Sequence, residues 1–429
     1  QLRIRACHLQ GTFITKDNIK PNISSINKIK EVAPHNYDLI AHPPSTYAQE
    51  KLKYGKRAEL AKHYVADNSL NEFFEGTIKE VALIVQGGLY NNLISSLQEM
   101  GLADSLGNTQ ISIYVLNVVH PLIPDEIISH AKKFKALLVI EEGQPQYIEQ
   151  ELGLLLHKEK INVDLKGKDI LPMAGEYTSE VIYKGVFSFI NNYIPDFQNF
   201  SNLNYNAEID QLRNEASSSL GEVVPARPPG FCTGCPERPF FSALKMVEKD
   251  IGKIHVSTDI GCHSFATFAP FSFGQSILGY GMSLASSAGV QSFSDKRPIA
   301  IMGDGGFWHN GLLSGVASRL LNNSDGILVI LQNGYTSATG TQDLISTPES
   351  SNRVLAASES STSTDKTIEK ALEGLGVEWI KTVHTYEVGS VKKVIAEAFK
   401  SSFNGLKVII AEGECQLERQ RRLKPIKAN

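Results

Sequence analysis

A run of strand, glycine-rich turn, helix and strand in the second half of the chain constrains its fold more than any other feature. These elements are predicted, in this order, at residues 298–302, 303–306, 307–321 and 327–331. The turn is Gly303-Asp304-Gly305-Gly306, and the second strand leads into Asn333. Because two strands joined through a crossover helix run parallel, we expect Asp304 and Asn333 at the same edge of one sheet.

Asp304, Asn333 and the backbone carbonyl of Tyr335 predict a site for a magnesium ion and a diphosphate. Mg²⁺ prefers hard oxygen ligands, and it usually takes carboxylate, amide or carbonyl oxygens together with phosphates. Such ligands bind at the carboxyl edge of an open α/β sheet, where the glycines of the turn would let a phosphate approach the backbone. A Gly-Asp-Gly turn also occurs in loops that bind nothing, and this is the alternative interpretation.

Four of the five cysteines form a second candidate constellation. Cys232 and Cys235 make a Cys-x-x-Cys pair, whereas Cys262 and Cys415 each follow a predicted strand, so all four are expected at one sheet edge. Four thiolates suit either a [4Fe–4S] cluster or a tetrahedral zinc ion, and the spacing does not separate the two. A further alternative is that Cys262 and Cys415 are small buried hydrophobic residues. Cys7 is left over and is predicted to be structural.

Composition and charge exclude several functional classes. The 429 residues carry a formal net charge of −4, which gives no basic surface for nucleic acid. No apolar run reaches the length of about 18 residues that a membrane-spanning helix needs. Five cysteines are too few for a disulfide scaffold and suit a reducing compartment, which predicts a cytoplasmic protein. The chain starts at Gln1 without a Met or a signal peptide, and we expect it to be a piece of a longer protein.

The order of predicted elements divides the chain into two α/β domains and two linkers. Residues 1–77 are predicted to be a linker or the tail of a preceding domain, and residues 191–222 a second linker. The smaller domain, residues 78–190, has strands predicted at 81–85, 111–115 and 136–140. The larger domain, residues 223–429, alternates helices with strands predicted at 254–257, 298–302, 327–331, 377–383 and 407–411. This alternation is typical of a doubly wound parallel sheet.

Several motifs give the chain a specific resemblance to a known family. The Gly303-Asp-Gly turn with Asn333 after the next strand resembles the thiamine diphosphate motif. Five stretches resemble the indolepyruvate ferredoxin oxidoreductases, which are thiamine diphosphate-dependent 2-oxoacid:ferredoxin oxidoreductases. These stretches are residues 5–8, 227–239, 259–263, 303–311 and 415–422. The resemblance therefore covers nearly the whole chain.

The resemblance implies a fold and a set of cofactors. The fold is a doubly wound parallel-sheet domain that binds thiamine diphosphate, preceded by a smaller domain like the C-terminal domain of transketolase. The cofactors are thiamine diphosphate with Mg²⁺, held by the turn, Asn333 and Tyr335, and a [4Fe–4S] cluster. In this family the cluster nearest the thiamine is held by a Cys-x-x-Cys pair and two later cysteines, and this sequence matches all four positions.

The implied reaction is the oxidative decarboxylation of a 2-oxoacid, here indolepyruvate or another aryl pyruvate, to an acyl-CoA. The implied partners are coenzyme A, ferredoxin and a pyrimidine-binding domain or subunit of the same enzyme, which would be oligomeric. That domain supplies the carboxylate against the aminopyrimidine, and we find none in this sequence. Two alternatives are a non-oxidative thiamine diphosphate decarboxylase or synthase, which needs no four-cysteine cluster, and a zinc-stabilised scaffold subunit.

Two histidines and one loop complete the predicted site. His263 and His309 are candidate catalytic residues, because a helix N-terminus near His309 would favour a neutral imidazole that can donate or accept a hydrogen bond. The alternative is that each only satisfies a loop carbonyl. Residues 336–342 are predicted to form a loop over the cofactor, with Thr339 and Gln342 as contacts. A mobile surface loop is the alternative there.

Overall fold

The structure, a computed structural model, describes residues 34–195, 197, 205–221, 229–347 and 367–423. It divides the chain into two compact units, Gln1–Val224 and Pro225–Asn429. Cys7 and the stretch 5–8 lie outside the described residues, as does the beginning of the 227–239 stretch. Within the described part of the chain, no helix is both long and apolar enough to cross a membrane.

The first unit is built on a five-stranded sheet with the order β1-β3-β2-β4-β5. The strands are β1 Glu72–Phe74, β2 Ile78–Gln86, β3 Ile111–Leu116, β4 Ala136–Ile140 and β5 Asp164–Lys166. The helices are α1 Ser45–Leu52, α2 Ala58–Asp67, α3 Tyr90–Glu99, α4 Pro124–Ala131, α5 Tyr147–Lys158, α6 Ser179–Tyr193 and α7 Tyr205–Ser219. A π-helical segment, Lys53–Arg57, lies between α1 and α2, and short 3₁₀ turns occur at Tyr37–Leu39 and Gly87–Leu89.

The central strands of this sheet are buried on both faces. β3 and β4 consist entirely of buried residues, a pattern typical of parallel strands that are covered by helices on each side. On one face Leu83 packs in a cluster with Leu93 of α3 and Phe189 of α6. On the other face Ile84 packs in a cluster with Leu152 of α5. The sheet is therefore the centre of a small α/β unit, as the sequence predicted.

Several elements of the first unit lie in ranges that the sequence predicts to be linkers, and β1 and α7 are two of them. β1 pairs antiparallel with β3, so the sheet begins before residue 78. α7 lies between residues 191 and 222. A three-residue strand is too short to show a period, and a largely exposed helix lacks an apolar stripe, so neither element has a hydrophobic pattern that the sequence could reveal.

The second unit is built on a six-stranded sheet with the order β12-β13-β9-β8-β6-β7, in which every described pair is parallel. Its strands are β6 Val256–Thr258, β7 Ser276–Ile277, β8 Ile299–Gly303, β9 Gly326–Gln332, β12 Trp379–His384 and β13 Leu406–Glu412. A separate antiparallel ribbon consists of β10 Tyr335–Thr336 and β11 Gln342–Asp343. The helices are α8 Glu237–Ile251, α9 Ser283–Gln291, α10 Asp304–Gly306, α11 Ser318–Leu321, α12 Ile368–Gly374, α13 Val388–Lys400 and α14 Gln416–Leu423. The remaining turns are a π-helical segment, Phe307–Ala317, between α10 and α11, and 3₁₀ turns at Cys262–Thr267 and Ser337–Thr339.

Helices cover both faces of the second sheet. One face carries a buried cluster that includes Phe240 of α8 and Ile395 of α13. The other face carries a cluster that includes Leu284 of α9, Phe307 and Leu372 of α12. This arrangement confirms the predicted doubly wound parallel sheet.

Parallel pairing brings the ends of four strands to one edge of this sheet. Asp304 follows β8 and Asn333 follows β9, and these strands are paired neighbours in which Gly303 lies opposite Leu331. β6 leads into Asp259 beside β8, and β13, the neighbour of β9 on its other side, leads toward Cys415. The sequence prediction that residues 303–306 form a separate turn was wrong, because Gly303 ends the strand and the helix begins directly at Asp304.

A buried ion pair lies at the opposite edge of the sheet, and we predict that removing one partner lowers the free energy of unfolding by several kcal/mol. Asp325 accepts 2.6 Å hydrogen bonds from Lys407 Nζ and Arg297 Nε, and the Lys407 side chain is fully buried. Asp325→Ala should lower the free energy of unfolding by about 3–5 kcal/mol, because it leaves a buried ammonium group without its partner. The exposed pair of Lys381 with Glu397 provides a control. Glu397→Ala should change the unfolding free energy by less than about 1 kcal/mol in the same denaturant titration.

Candidate functional site

Asp304 is a buried carboxylate at the start of the helix that follows β8. Its side chain is 1% exposed, and its oxygens accept hydrogen bonds from the backbone N–H groups of Gly305 at 2.9 Å and Gly334 at 2.7 Å. Burial raises the pKa of Asp304 to about 7, and these backbone donors oppose the shift. A buried carboxylate whose described partners are neutral amides suits a cation as its further partner.

Asn333 faces Asp304 from the end of the neighbouring strand. Its Oδ1 accepts hydrogen bonds from Tyr335 N at 3.2 Å and Ser337 Oγ at 2.8 Å, so its amide oxygen points toward the ribbon. The Tyr335 backbone carbonyl accepts a 3.3 Å bond from the same Ser337 hydroxyl. The three predicted Mg²⁺ ligands therefore come from two adjoining strand ends and from the first residue of the ribbon.

The two glycines after Asp304 are required by close packing. A Cβ on Gly305 would lie 2.2 Å from Tyr280 Oη, and a Cβ on Gly306 would lie 2.3 Å from Asp259 Oδ2. Asp259 is itself buried and accepts bonds from Gly281 N at 2.6 Å and from the backbone N–H of the first residue of α9 at 2.7 Å. Any larger residue in place of these glycines would displace the start of the helix from the sheet edge.

A cavity of about 220 Å³ opens over this edge of the sheet. Its lining consists of Ile260, Gly261, Cys262, His263, Tyr280, Gly303, Asp304, Gly305, Gly306, Asn333, Tyr335, Thr336, Ser337, Ala338 and Thr339. The oxygen donors of the Asp304–Asn333 edge and the glycine backbone thus share one cavity, which fits a diphosphate held through a divalent cation.

Thr339 and Gln342 have different positions relative to this cavity. Both side chains are exposed, and they bond to each other through Thr339 Oγ1 and Gln342 Oε1 at 2.9 Å. Thr339 is part of the cavity lining, whereas Gln342 is not. The segment predicted to be a loop is a short antiparallel ribbon with a 3₁₀ turn at its tip.

His263 is buried beside the cavity and His309 is exposed outside it. The His263 ring bonds to the backbone of Asp259, and its Nε2 has no partner among the described residues. Burial lowers the pKa of His263 to about 4, which keeps the imidazole neutral. The helix starts at Asp304, so His309 lies in the next turn of the helix, where its ring packs against Tyr280 with centroids 5.1 Å apart. Only His263 of the two lines the cavity.

The cysteine-bearing segments pack against one another at the same sheet edge. Cys415 N donates a 3.1 Å bond to the Asn333 carbonyl, and a Cβ on Gly234 would lie 3.4 Å from the side chain of Gln416. Burial raises the pKa of Cys262 to about 12, and the charges of Glu237 and of the other three cysteines add to the shift. All four are free thiols. They fit a thiolate-ligated cluster in donor chemistry and location, but no three His, Cys, Asp or Glu side chains of the described residues are arranged as a metal-ligand set.

Glu237 is a site residue that the sequence analysis missed. It is the first residue of α8, immediately after the Cys-x-x-Cys loop and Pro236, and it is 2% exposed. Its Oε1 accepts a 3.2 Å bond from Asn333 Nδ2, and burial raises the pKa of Glu237 to about 8. A single glutamate at a helix start resembles an ordinary N-terminal acidic residue, so only its burial identifies it.

A buried hydrogen bond holds the ribbon against the last helix, and its loss should loosen the ribbon. Thr341 lies at φ +60° and donates a 2.8 Å bond to Glu418 of α14, and its backbone N–H donates a 3.1 Å bond to Thr336. Glu418→Ala should cost about 0.5–1.5 kcal/mol, because it removes one acceptor of a buried hydroxyl whose other acceptor is the Gly340 carbonyl at 2.6 Å. Native-state hydrogen exchange should then be faster at the Thr341 amide. Glu373→Ala, on the exposed surface of α12, should leave this amide unchanged.

Comparisons with known proteins find similar sequences that bind thiamine pyrophosphate or are named as oxidoreductase subunits. Residues 259–411 match the family described as "Thiamine pyrophosphate enzyme, C-terminal TPP binding domain", a range that contains Asp259, Asp304 and Asn333. The chain is 23% identical over 358 residues to indolepyruvate oxidoreductase subunit IorA of Methanothermobacter thermautotrophicus, covering 82% of this chain and 52% of that protein. It is 24% identical over 435 residues to the subunit of the same name from Thermococcus kodakarensis, covering 96% of this chain and 61% of that protein.

The chain spans about half the length of the first of these relatives. Among solved structures, a 2-oxoglutarate:ferredoxin oxidoreductase from Magnetococcus marinus overlaps at a TM-score of 0.39 and 16% identity, covering 45% of this chain and 66% of that one, an overlap too partial to add to the argument. The matched thiamine pyrophosphate domain contains the buried carboxylate and amide of the sheet edge, and the named relatives extend the likeness over most of the chain. These comparisons identify the chain as a relative of the thiamine diphosphate-dependent 2-oxoacid:ferredoxin oxidoreductases, with a thiamine pyrophosphate-binding domain at residues 259–411.

Proposed function

We propose that this chain forms part of an enzyme that decarboxylates a 2-oxoacid oxidatively with thiamine diphosphate and Mg²⁺, and passes the electrons to ferredoxin. The observation that carries the proposal is the buried Asp304 carboxylate facing Asn333 across adjacent parallel strands, at the edge of a cavity lined by glycine backbone. The relatives' printed name, indolepyruvate oxidoreductase, supports indolepyruvate or another aryl pyruvate as the substrate. The acyl product would be transferred to coenzyme A.

In this proposal the residues of the sheet edge bind and orient the cofactor. Asp304, Asn333 Oδ1 and the Tyr335 carbonyl would hold Mg²⁺, and the backbone of residues 303–306 would hold the diphosphate. Thiamine diphosphate, when bound, supplies the electron sink for decarboxylation. His263, neutral and with a buried Nε2, would offer a hydrogen-bonding nitrogen at the cavity wall. Thr339 would contact the cofactor from the ribbon, and His309 and Gln342 would have to act from outside the cavity lining.

The four cysteines would hold the first electron acceptor in this proposal. The donor chemistry of Cys232, Cys235, Cys262 and Cys415, and the packing of their segments beside Asn333, support a [4Fe–4S] cluster. Cys262 also lines the cavity that contains Asp304, so such a cluster would lie next to the cofactor site. The carboxylate that activates the aminopyrimidine would come from a pyrimidine-binding domain or subunit of the same oligomeric enzyme.

Product analysis of the complete enzyme tests this function. Indolepyruvate, phenylpyruvate and 2-oxoglutarate are each supplied with coenzyme A and oxidised ferredoxin, and reduced ferredoxin and acyl-CoA are measured. We expect both products with at least one aryl pyruvate and none without coenzyme A. Release of carbon dioxide and an aldehyde without ferredoxin reduction would instead identify a non-oxidative decarboxylase. Absence of any turnover in a zinc-containing protein would favour a scaffold subunit.

A further inference from the structure

Glu237 is a buried acidic residue with one oxygen that the rest of the described protein does not satisfy. It lies between the cysteine-bearing loop that precedes it and Asn333, to which its Oε1 is bonded at 3.2 Å. Its Oε2 is buried and has no partner among the described residues. Burying a carboxyl group with an unsatisfied oxygen costs free energy of folding. The presence of such a group at residue 237 therefore suggests a role other than packing.

The contacts of Asn333 show what Glu237 does locally. A carboxamide has one donor end and one acceptor end, and its orientation is set by the groups that surround it. At one end, Nδ2 of Asn333 donates to Glu237; at the other end, Oδ1 accepts from Tyr335 N and Ser337 Oγ. Rotating the carboxamide by half a turn would remove the donor from Glu237 Oε1 and would place the NH₂ group against the Tyr335 N–H and Ser337 hydroxyl groups that now donate to Oδ1. Glu237 therefore supports the orientation in which Oδ1, rather than the NH₂ group, faces Tyr335, whose backbone carbonyl is another of the proposed ligands.

We propose that Glu237 is a positioning residue for the cation site, because it holds the Asn333 carboxamide with its oxygen available to Mg²⁺. This inference rests on the proposed function, in which Asn333 is a ligand of the cofactor's cation. Groups that bond to the far side of a metal ligand fix its orientation, and their loss typically weakens metal binding about 10- to 100-fold. Glu237 reaches Asn333 from α8, whereas Asp304 is the first residue of α10, so two elements of the sheet edge would set one coordination geometry.

Two substitutions separate this role from packing. Glu237→Gln keeps an amide oxygen that can accept from Asn333 Nδ2, whereas Glu237→Met keeps the length and shape of the side chain without any strong acceptor. In the complete enzyme, the Mg²⁺ dependence of thiamine diphosphate binding is measured by calorimetry. We expect Glu237→Met to weaken apparent Mg²⁺ affinity by about 10- to 100-fold and Glu237→Gln to weaken it by less than about 3-fold. Glu248→Gln, on the same helix, is the control and should bind as the unchanged protein does.

The electron paramagnetic resonance spectrum of Mn²⁺ bound in place of Mg²⁺ gives a readout independent of turnover. It should be altered in Glu237→Met and retained in Glu237→Gln, because only the first variant frees the carboxamide to rotate. If Glu237 served packing alone, the methionine variant would bind at least as well as the glutamine variant, and that order would overturn the inference. If the unchanged protein bound thiamine diphosphate but both variants bound equally well, only this inference would fail. If the unchanged protein bound no thiamine diphosphate, the proposed function would fail with it.

Discussion

Asp304→Ala should abolish the binding of thiamine diphosphate in the presence of Mg²⁺. The substitution removes the carboxylate that we propose as a cation ligand, together with the acceptor of the Gly305 and Gly334 amides. Loss of a group that only hydrogen-bonds to a metal ligand weakens metal binding by up to about 100-fold. Loss of a direct ligand should weaken binding by more than this. Calorimetric titration of the cofactor at saturating Mg²⁺ measures the effect. An unchanged affinity would refute the assignment of Asp304.

Asp304→Asn separates this loss of binding from a loss of folding. Burial raises the pKa of Asp304 to about 7, so in the cation-free protein this group favours its protonated form, and its stabilising contribution is lost as the pH rises from about 4 through 7. A neutral side chain of the same size avoids that loss. The Asn side chain keeps only one acceptor for the Gly305 and Gly334 amides, which offsets part of this gain. We therefore expect the cation-free Asn variant to remain folded at pH values above 7, yet to bind no cofactor. Asp295→Ala, at an exposed position, is the control and should bind normally.

Protein purified without oxygen should be brown and contain about four irons per chain at the cysteine site, the count set by a [4Fe–4S] cluster. Cys415→Ser should lose both the colour and part of the stability, because thiolate ligation couples metal binding to folding. The backbone N–H of Cys415 bonds to the Asn333 carbonyl. Loss of the Cys415 ligand should therefore destabilise both the segment after β13 and the segment after β9. Iron analysis, absorbance and thermal unfolding measure these effects.

Cys7→Ser is the matched control, since Cys7 is the cysteine outside the proposed ligand set. It should keep the colour, the iron content and the unfolding temperature. A colourless protein with one stoichiometric zinc ion would contradict the cluster and would leave the proposed oxidoreductase without its first electron acceptor.

The sequence by itself determined the alternation of strands and helices and the adjacency of Asp304 and Asn333 at one sheet edge. Runs such as those at β8 and β9 are long, apolar and bounded by glycine or asparagine, so their period and ends are local signals. The rule that crossover-linked strands run parallel then placed Asp304 beside Asn333 without further information. The Cys-x-x-Cys pair is likewise a local motif. These features are carried by residues that are neighbours in the sequence.

Only the tertiary structure decided which other groups meet at that site. Glu237 bonds to Asn333, Asp259 packs against Gly306, and Thr341 bonds to Glu418, although these partners are far apart in the sequence. No periodic pattern marks such contacts, because each depends on where two separate elements end in space. The same reason explains why β1 and the ribbon escaped prediction, since a strand of two or three residues is stabilised by its pairing partner and has no hydrophobic period of its own. The burial that makes Glu237 unlike an ordinary acidic residue at a helix start is a property of the folded sheet edge.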